Sequence, residues 1–219
     1  MEVVYLTDLN RPTLGQDRLA VDVVCAGDSI TGWNNFGPAK FWPYPTYPQF
    51  LQELCQPLGL RVADGGIAGE ISDNGPGHVR RYLDLLPNSR SFVIGFGTND
   101  LGMWPDLEST SRRIIENLGR MVRAVRDQGK QPIVFNVPYA NEAMFAPQIA
   151  RDTHEKRDYH NERLTEYCQQ NEVPLADICS HLRDEHLGDE LHPNEAGANI
   201  IAGKVFEVLS LVHDAGQAT

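Results

Sequence analysis

A serine, a histidine and an aspartate can together open an acyl bond, provided donors wait for the charge that develops. Ser29 sits in the run Gly27-Asp28-Ser29-Ile30-Thr31, and His192 in the run Asp189-Glu190-Leu191-His192-Pro193. A serine hydroxyl is a weak nucleophile until a base removes its proton. Imidazole titrates near neutral pH and suits that task. Asp189, three residues before His192, can reach the second ring nitrogen across a turn, where it would fix the tautomer and stabilise the imidazolium. Acyl transfer also places negative charge on an oxygen, which needs donors aimed at it. The backbone N–H groups of Ser29 and Gly69 and the side-chain amide of Asn99 are the candidates, from the runs Gly65-Gly66-Ile67-Ala68-Gly69 and Gly97-Thr98-Asn99-Asp100.

Stepping outward, three of these runs directly follow a short apolar, strand-like segment, and the His192 run comes after the last such segment. The segments are 21–26, 60–63, 91–96, 132–137 and 173–176. Between them lie helical periods at 46–58, 77–86, 107–128, 152–171 and 194–212. In 152–171 the expected inner side is Tyr159, Leu164 and Tyr167. Strand and helix alternating throughout predict a parallel sheet with helices on both faces. In such sheets ligands bind beyond the carboxyl ends of the strands, so the polar runs should meet in one crevice. The whole chain, 1–219, reads as one domain whose motif-bearing core is about 21–212.

Taken together, Gly27-Asp28-Ser29, Gly69, Gly97-x-Asn99-Asp100 and Asp189-x-x-His192-Pro193 resemble the four sequence blocks of the SGNH hydrolase superfamily, the GDSL-type esterases and lipases. The resemblance implies a flavodoxin-like, three-layer α/β/α sandwich with a five-stranded parallel sheet. It implies esterase, lipase or carbohydrate-esterase activity without a cofactor or metal. Carried over by residue, it makes Ser29 the nucleophile, His192 the base, Asp189 its orienting acid, and Ser29, Gly69 and Asn99 the oxyanion hole. One departure is Asp64-Gly65-Gly66, where many members have Asn or Arg before the glycine. It leaves Gly66 as a second candidate for the donor assigned to Gly69.

Asp28 and Asp100 are expected to brace loops through backbone amides. His78, His154, His160, His181, His186 and His213 read as ordinary surface residues. The stretch 32–47 is rich in aromatics and stiffened by Pro38, Pro43 and Pro45. Trp33 and Trp42 in it are candidate pocket walls, as is Tyr139, with Asn141 and Phe145, in the loop 139–149. A stiff loop that only buries its rings is the plainer reading.

The totals narrow the partners. A formal net charge of -11 repels nucleic-acid phosphates and anionic lipid and counts against both as partners; the expected partner, a small-molecule acyl ester, follows from the triad and the resemblance. No run of about 18 apolar residues suggests a membrane span. No signal peptide is visible in the first residues, and a cytoplasmic location is expected. The four cysteines form no C-x-x-C pair and are expected to be reduced. Two other functions compete with the ester hydrolase. A metal-dependent phosphoesterase would use Asp28, Asn99, Asp100 and His192 as hard ligands. A non-catalytic binding module would keep the fold alone. Transfer of the acyl group to a sugar or alcohol is open to the same triad.

Overall fold

In the computed structural model, residues 2–6, 20–32, 42–141, 143 and 153–217 are described below. Strands β1 (Val4–Tyr5), β2 (Val23–Gly27), β3 (Val62–Gly66), β4 (Ser91–Gly95), β5 (Gln131–Phe135) and β6 (Leu175–Ala176) form one sheet in the order β1-β3-β2-β4-β5-β6. Every pairing is parallel. The helices are α1 (Tyr47–Cys55), α2 (Gly75–Leu85), α3 (Thr98–Met103), α4 (Leu107–Asp127), α5 (Thr153–Gln170) and α6 (Glu195–Gln217).

The strands read as unbroken apolar runs because both faces are covered. Successive side chains alternate between two cores. Val24, Ala26, Phe92, Ile94 and Val134 face one core with α2, α4 and α5. Val23, Cys25, Val93, Ile133 and Phe135 face the other with α1 and α6. The α4 stripe of Ile114, Leu118, Met121, Val122 and Val125 is fully covered. Each such side chain contributes about 1.5–3 kcal/mol by leaving water. α6 is long and apolar enough to cross a membrane by length and composition. Here Ile201, Ala202, Val205 and Leu209 instead bury its inner face against α1 and the sheet.

The three-layer α/β/α architecture matches expectation, with four corrections. The sheet has six strands, not five: β1 is only two residues long and gains strand geometry by pairing with Ala63 and Asp64. β3 runs on through Asp64-Gly65-Gly66, poor strand formers that are held between β1 and β2 on either side. His160 is no surface residue; it is fully buried, its Nδ1 3.1 Å from Ser111 Oγ, and burial pushes it down to about 4. The buried face of α5 is Arg157, His160, Leu164 and Cys168, while Tyr159 and Tyr167 are half-buried. A face with two basic residues in it carries no apolar period, which is why the pattern pointed elsewhere. All four cysteines are free thiols.

Candidate active site

β2 ends at Gly27 and the chain turns at once. The Asp28 carbonyl accepts the N–H groups of Thr31 and Gly32, and its Oδ1 accepts the Ile30 N–H at 3.0 Å. That tight turn holds Ser29 at the carboxyl edge of the sheet's middle. Gly66 makes the turn possible from the other side. A Cβ there would run into the backbone of Thr31 and Gly32. The Gly66 N–H is given to Asp64 Oδ1 at 2.9 Å, so this glycine is a spacer and its donor is used.

His192 arrives from the far end of the chain. Gly188 N–H donates to the His192 carbonyl, and Leu187 bridges Pro193, closing a small loop ahead of α6. Asp189 sits inside that loop. Its Oδ1 accepts the Leu191 and His192 amides at 2.8 and 2.6 Å, and its Oδ2 faces His192 Nδ1 at 2.8 Å. Burial alone would raise the Asp189 carboxyl, but the hydrogen bonds from those two amides and the ring hold it below the usual carboxylate range. His192 Nε2 lies 2.9 Å from Ser29 Oγ. With Nδ1–H donated to the carboxylate, Nε2 is left to accept the serine proton. A chain of hydroxyl, imidazole and carboxylate in this order can generate an alkoxide-like nucleophile at neutral pH.

The residues expected to supply donors sit on the segments that follow β2, β3 and β4. Gly69 takes a φ of +78°, natural for glycine, in the loop between β3 and α2. Among the described residues, neither the Ser29 N–H nor the Gly69 N–H meets a protein acceptor. The Asn99 amide gives one N–H to the Glu70 carbonyl at 2.8 Å, which fixes its plane and leaves the second. Asp100 braces the same loop, taking Ser72 Oγ at 2.6 Å and the Ser72 N–H at 2.9 Å.

Asp28 is fully buried, and its Oδ2 meets no hydrogen-bond partner among the described residues. Burial raises its carboxyl to about 7, against the pull of the Ile30 N–H, and the Asp100 carboxylate adds to the rise. A raised carboxyl binds its proton more tightly folded than unfolded. The resulting stability is complete below about pH 4 and is lost as pH climbs towards 7. Asp28→Asn cannot ionise. In thermal melts the wild type should therefore fall behind Asp28→Asn between pH 5 and pH 8, by a few kcal/mol at the upper end. A gap that stays the same at both pH values would remove this account.

Of the pocket candidates, Trp42 is buried and sets its ring edge-on to His192, centroids 5.2 Å apart, and to Tyr44 at 5.5 Å. Trp33 and Phe145 lie outside the described residues. Tyr139 is engaged elsewhere: its hydroxyl donates to Asp184 at 2.6 Å and its ring lies under Arg157. The Asn141 N–H reaches the Glu190 carbonyl at 2.8 Å, tying the loop after β5 to the loop of Asp189 and His192. Among the described residues, no group of three or more His, Cys, Asp or Glu is set to hold a metal ion. Of the ligands named for a phosphoesterase, Asp100 is bonded to Ser72 and His192 to Ser29 and Asp189.

The sequence model of the GDSL-like Lipase/Acylhydrolase family matches residues 25–200. The chain belongs to this family. It is thereby a carboxylic ester hydrolase by descent, and the matched stretch includes Gly27-Asp28-Ser29. No curated protein sequence matches the chain significantly. Solved structures match its fold over nearly the whole length. A GDSL-like lipase from Bacteroides thetaiotaomicron is 20% identical with a TM-score of 0.69, covering 93% of this chain and 95% of that one. A putative acylhydrolase from Bacteroides fragilis is 22% identical with a TM-score of 0.67, covering 94% and 98%. Est24, a carbohydrate acetylesterase from Sinorhizobium meliloti, is 18% identical with a TM-score of 0.70, covering 87% and 99%.

The sequence reading does not single out Glu70 and takes His78 as an ordinary surface residue, whereas the two face each other, Glu70 Oε2 to His78 Nε2 at 2.8 Å. No helical period reports the pair, because α2 begins only at Gly75 and Glu70 lies in the loop before it.

Proposed function

We propose that this acylhydrolase cleaves a short-chain acyl ester, acetyl esters of sugars among them, with Ser29 as nucleophile. Ser29 Oγ adds to the acyl carbon while His192 Nε2 takes its proton. The carbonyl oxygen becomes an oxyanion held by the N–H groups of Ser29 and Gly69 and by the Asn99 amide. Collapse breaks the ester C–O bond, and His192 returns the proton to the leaving alcohol. Water then attacks the acyl-serine, giving its proton to His192, and the acid departs as Ser29 recovers its hydrogen. Asp189 keeps its charge throughout and steadies the imidazolium.

The observation that carries this reading is the continuous chain from Ser29 Oγ through His192 to Asp189, with contacts of 2.9 and 2.8 Å. The small-acyl preference draws support from Trp42, whose ring crowds His192. The fold shared with a carbohydrate acetylesterase points the same way. A chain of charge -11 also suits a neutral ester better than an anionic one.

The test is hydrolysis of p-nitrophenyl acetate with a chelator present, alongside treatment with a fluorophosphonate. Turnover together with a covalent adduct mapped to Ser29 is the expected result. An adduct on another serine, or turnover abolished by the chelator, would overturn the assignment.

A further inference from the structure

The loop that carries Gly69 is pinned at its two ends, and between them the Glu70 N–H donates to the Ile67 carbonyl at 3.2 Å across the turn. At its start, the Ile67 N–H donates to the Gly27 carbonyl at 3.0 Å. At its end, Ser72 is held by Asp100. Between those pins Gly69 is exposed, and a Cβ built on it would meet nothing within 4 Å. Packing therefore does not set the position of its N–H. Glu70 lies between Gly69 and the second pin. Its carbonyl oxygen holds the Asn99 amide at 2.8 Å, and its amide nitrogen closes the peptide bond with Gly69. One residue thus adjoins two of the three donors.

The Glu70 side chain is itself gripped. Oε1 accepts the Asn74 amide at 2.6 Å and the Ile71 N–H at 3.2 Å. Oε2 faces His78 Nε2 at 2.8 Å, and the His78 ring stacks on Tyr82 with centroids 6.3 Å apart. Tyr82 in turn donates to the Gly65 carbonyl at 2.8 Å, back at the end of β3. Partial burial alone would raise the Glu70 carboxyl, yet its donors hold it below the usual range, so it stays ionised and bound at neutral pH.

Resting on the reading of Gly69 and Asn99 as oxyanion donors, we infer that Glu70, clamped by Asn74 and His78, is a positioning residue that sets the oxyanion hole. Neither Glu70 nor His78 touches the reacting atoms. The clamp fixes the Glu70 main chain, and the main chain fixes both donors. A plainer role is a carboxylate stabilising the N-terminal end of α2. The two differ in what they change: a cap alters stability, whereas misplaced donors lower the rate after substrate has bound.

The experiment compares wild type, Glu70→Ala, Glu70→Gln, Asp73→Ala and Ser29→Ala on p-nitrophenyl acetate, with thermal melts for each. Glu70→Ala should lower kcat by about 10- to 100-fold with KM within about twofold, short of the full loss of a donor. Glu70→Gln keeps an acceptor for Asn74 and Ile71 and a donor for the His78 ring, and should recover most of kcat. Asp73, which pairs with Arg113 on the same loop, is the control. Asp73→Ala should lower the melting temperature and leave kcat in place. If Glu70→Ala does not fold, His78→Ala carries the same test with a smaller fall. An unchanged kcat in Glu70→Ala, no rescue by Gln, or an equal fall in Asp73→Ala would overturn the inference, provided Ser29→Ala is inactive. An active Ser29→Ala would instead overturn the catalytic assignment beneath it.

Discussion

Ser29→Ala should lose about five orders of magnitude in kcat on an activated ester, within the range seen when a triad nucleophile is removed. What survives is the rate that binding and the oxyanion donors give to attack by water. The substitution deletes one oxygen from a nearly buried site and breaks one hydrogen bond, that to His192. Such a loss costs about 1 kcal/mol, so the melting temperature should move by only a few degrees. Rate and stability are therefore separable in this variant. A Ser29→Ala protein that melts normally yet hydrolyses p-nitrophenyl acetate at the wild-type rate would end the serine mechanism.

Asp189→Asn should cost about three to four orders of magnitude in kcat with little change in KM, an expectation drawn from triads in general. The reason lies in how the carboxylate is used. Oδ1 is committed to the Leu191 and His192 amides, which only an oxygen can serve. In the variant the amide oxygen must stay there, so the NH₂ group faces His192 Nδ1. A donor opposite Nδ1 forces the ring proton onto Nε2, which then cannot accept the serine proton. The loop keeps its shape and the base is lost. The carboxylate's lowered titration range has a further result. The ion pair it offers the imidazolium is present above the ordinary carboxylate range and fades only as pH falls through that lowered value. A pH–rate profile for Asp189→Asn, measured against wild type, checks both points. A variant with wild-type kcat would show that Asp189 only shapes the loop.

Much of this arrangement was legible in the chain. β2, β4 and β5 announce themselves by β-branched and aromatic runs, and α4 by a stripe of five apolar residues, while only the first half of β3 carries such a signal. Ser29, Gly69, Asn99, Asp189 and His192 fall where strand ends lead, because a parallel sheet delivers all its carboxyl ends to one edge. Other parts were invisible for physical reasons. Val4–Tyr5 is a strand only because β3 pairs with it, a contact about 60 residues away that no local pattern reports. α3 begins at Thr98, inside the polar run, and its residues read as loop because their main role is to brace Ser72 and Glu70. His160 looks like a surface histidine since burial of a neutral imidazole leaves no apolar signature. The difference between Gly66 and Gly69 was also hidden from any local pattern: Gly66 packs against the turn after Ser29 with its N–H bonded to Asp64, and Gly69 takes a positive φ in an open loop.

The contact between Ser29 and His192 spans 163 residues of chain. Closing a loop of that length costs about 4–5 kcal/mol in chain entropy, so the pair cannot form early by chance. The histidine loop directly precedes α6, whose inner face packs against α1 and the sheet, so the placing of the base is tied to the packing of that helix. Synthesis runs from the N-terminus at about 5–20 residues per second, which leaves a growing polypeptide with its serine and no base for roughly ten to thirty seconds. Throughout that interval the hydroxyl is as inert as any other. The long separation in sequence therefore makes the esterase chemistry a property of the whole fold: Ser29 has its base only where the histidine loop ahead of α6 meets the carboxyl edge of the sheet.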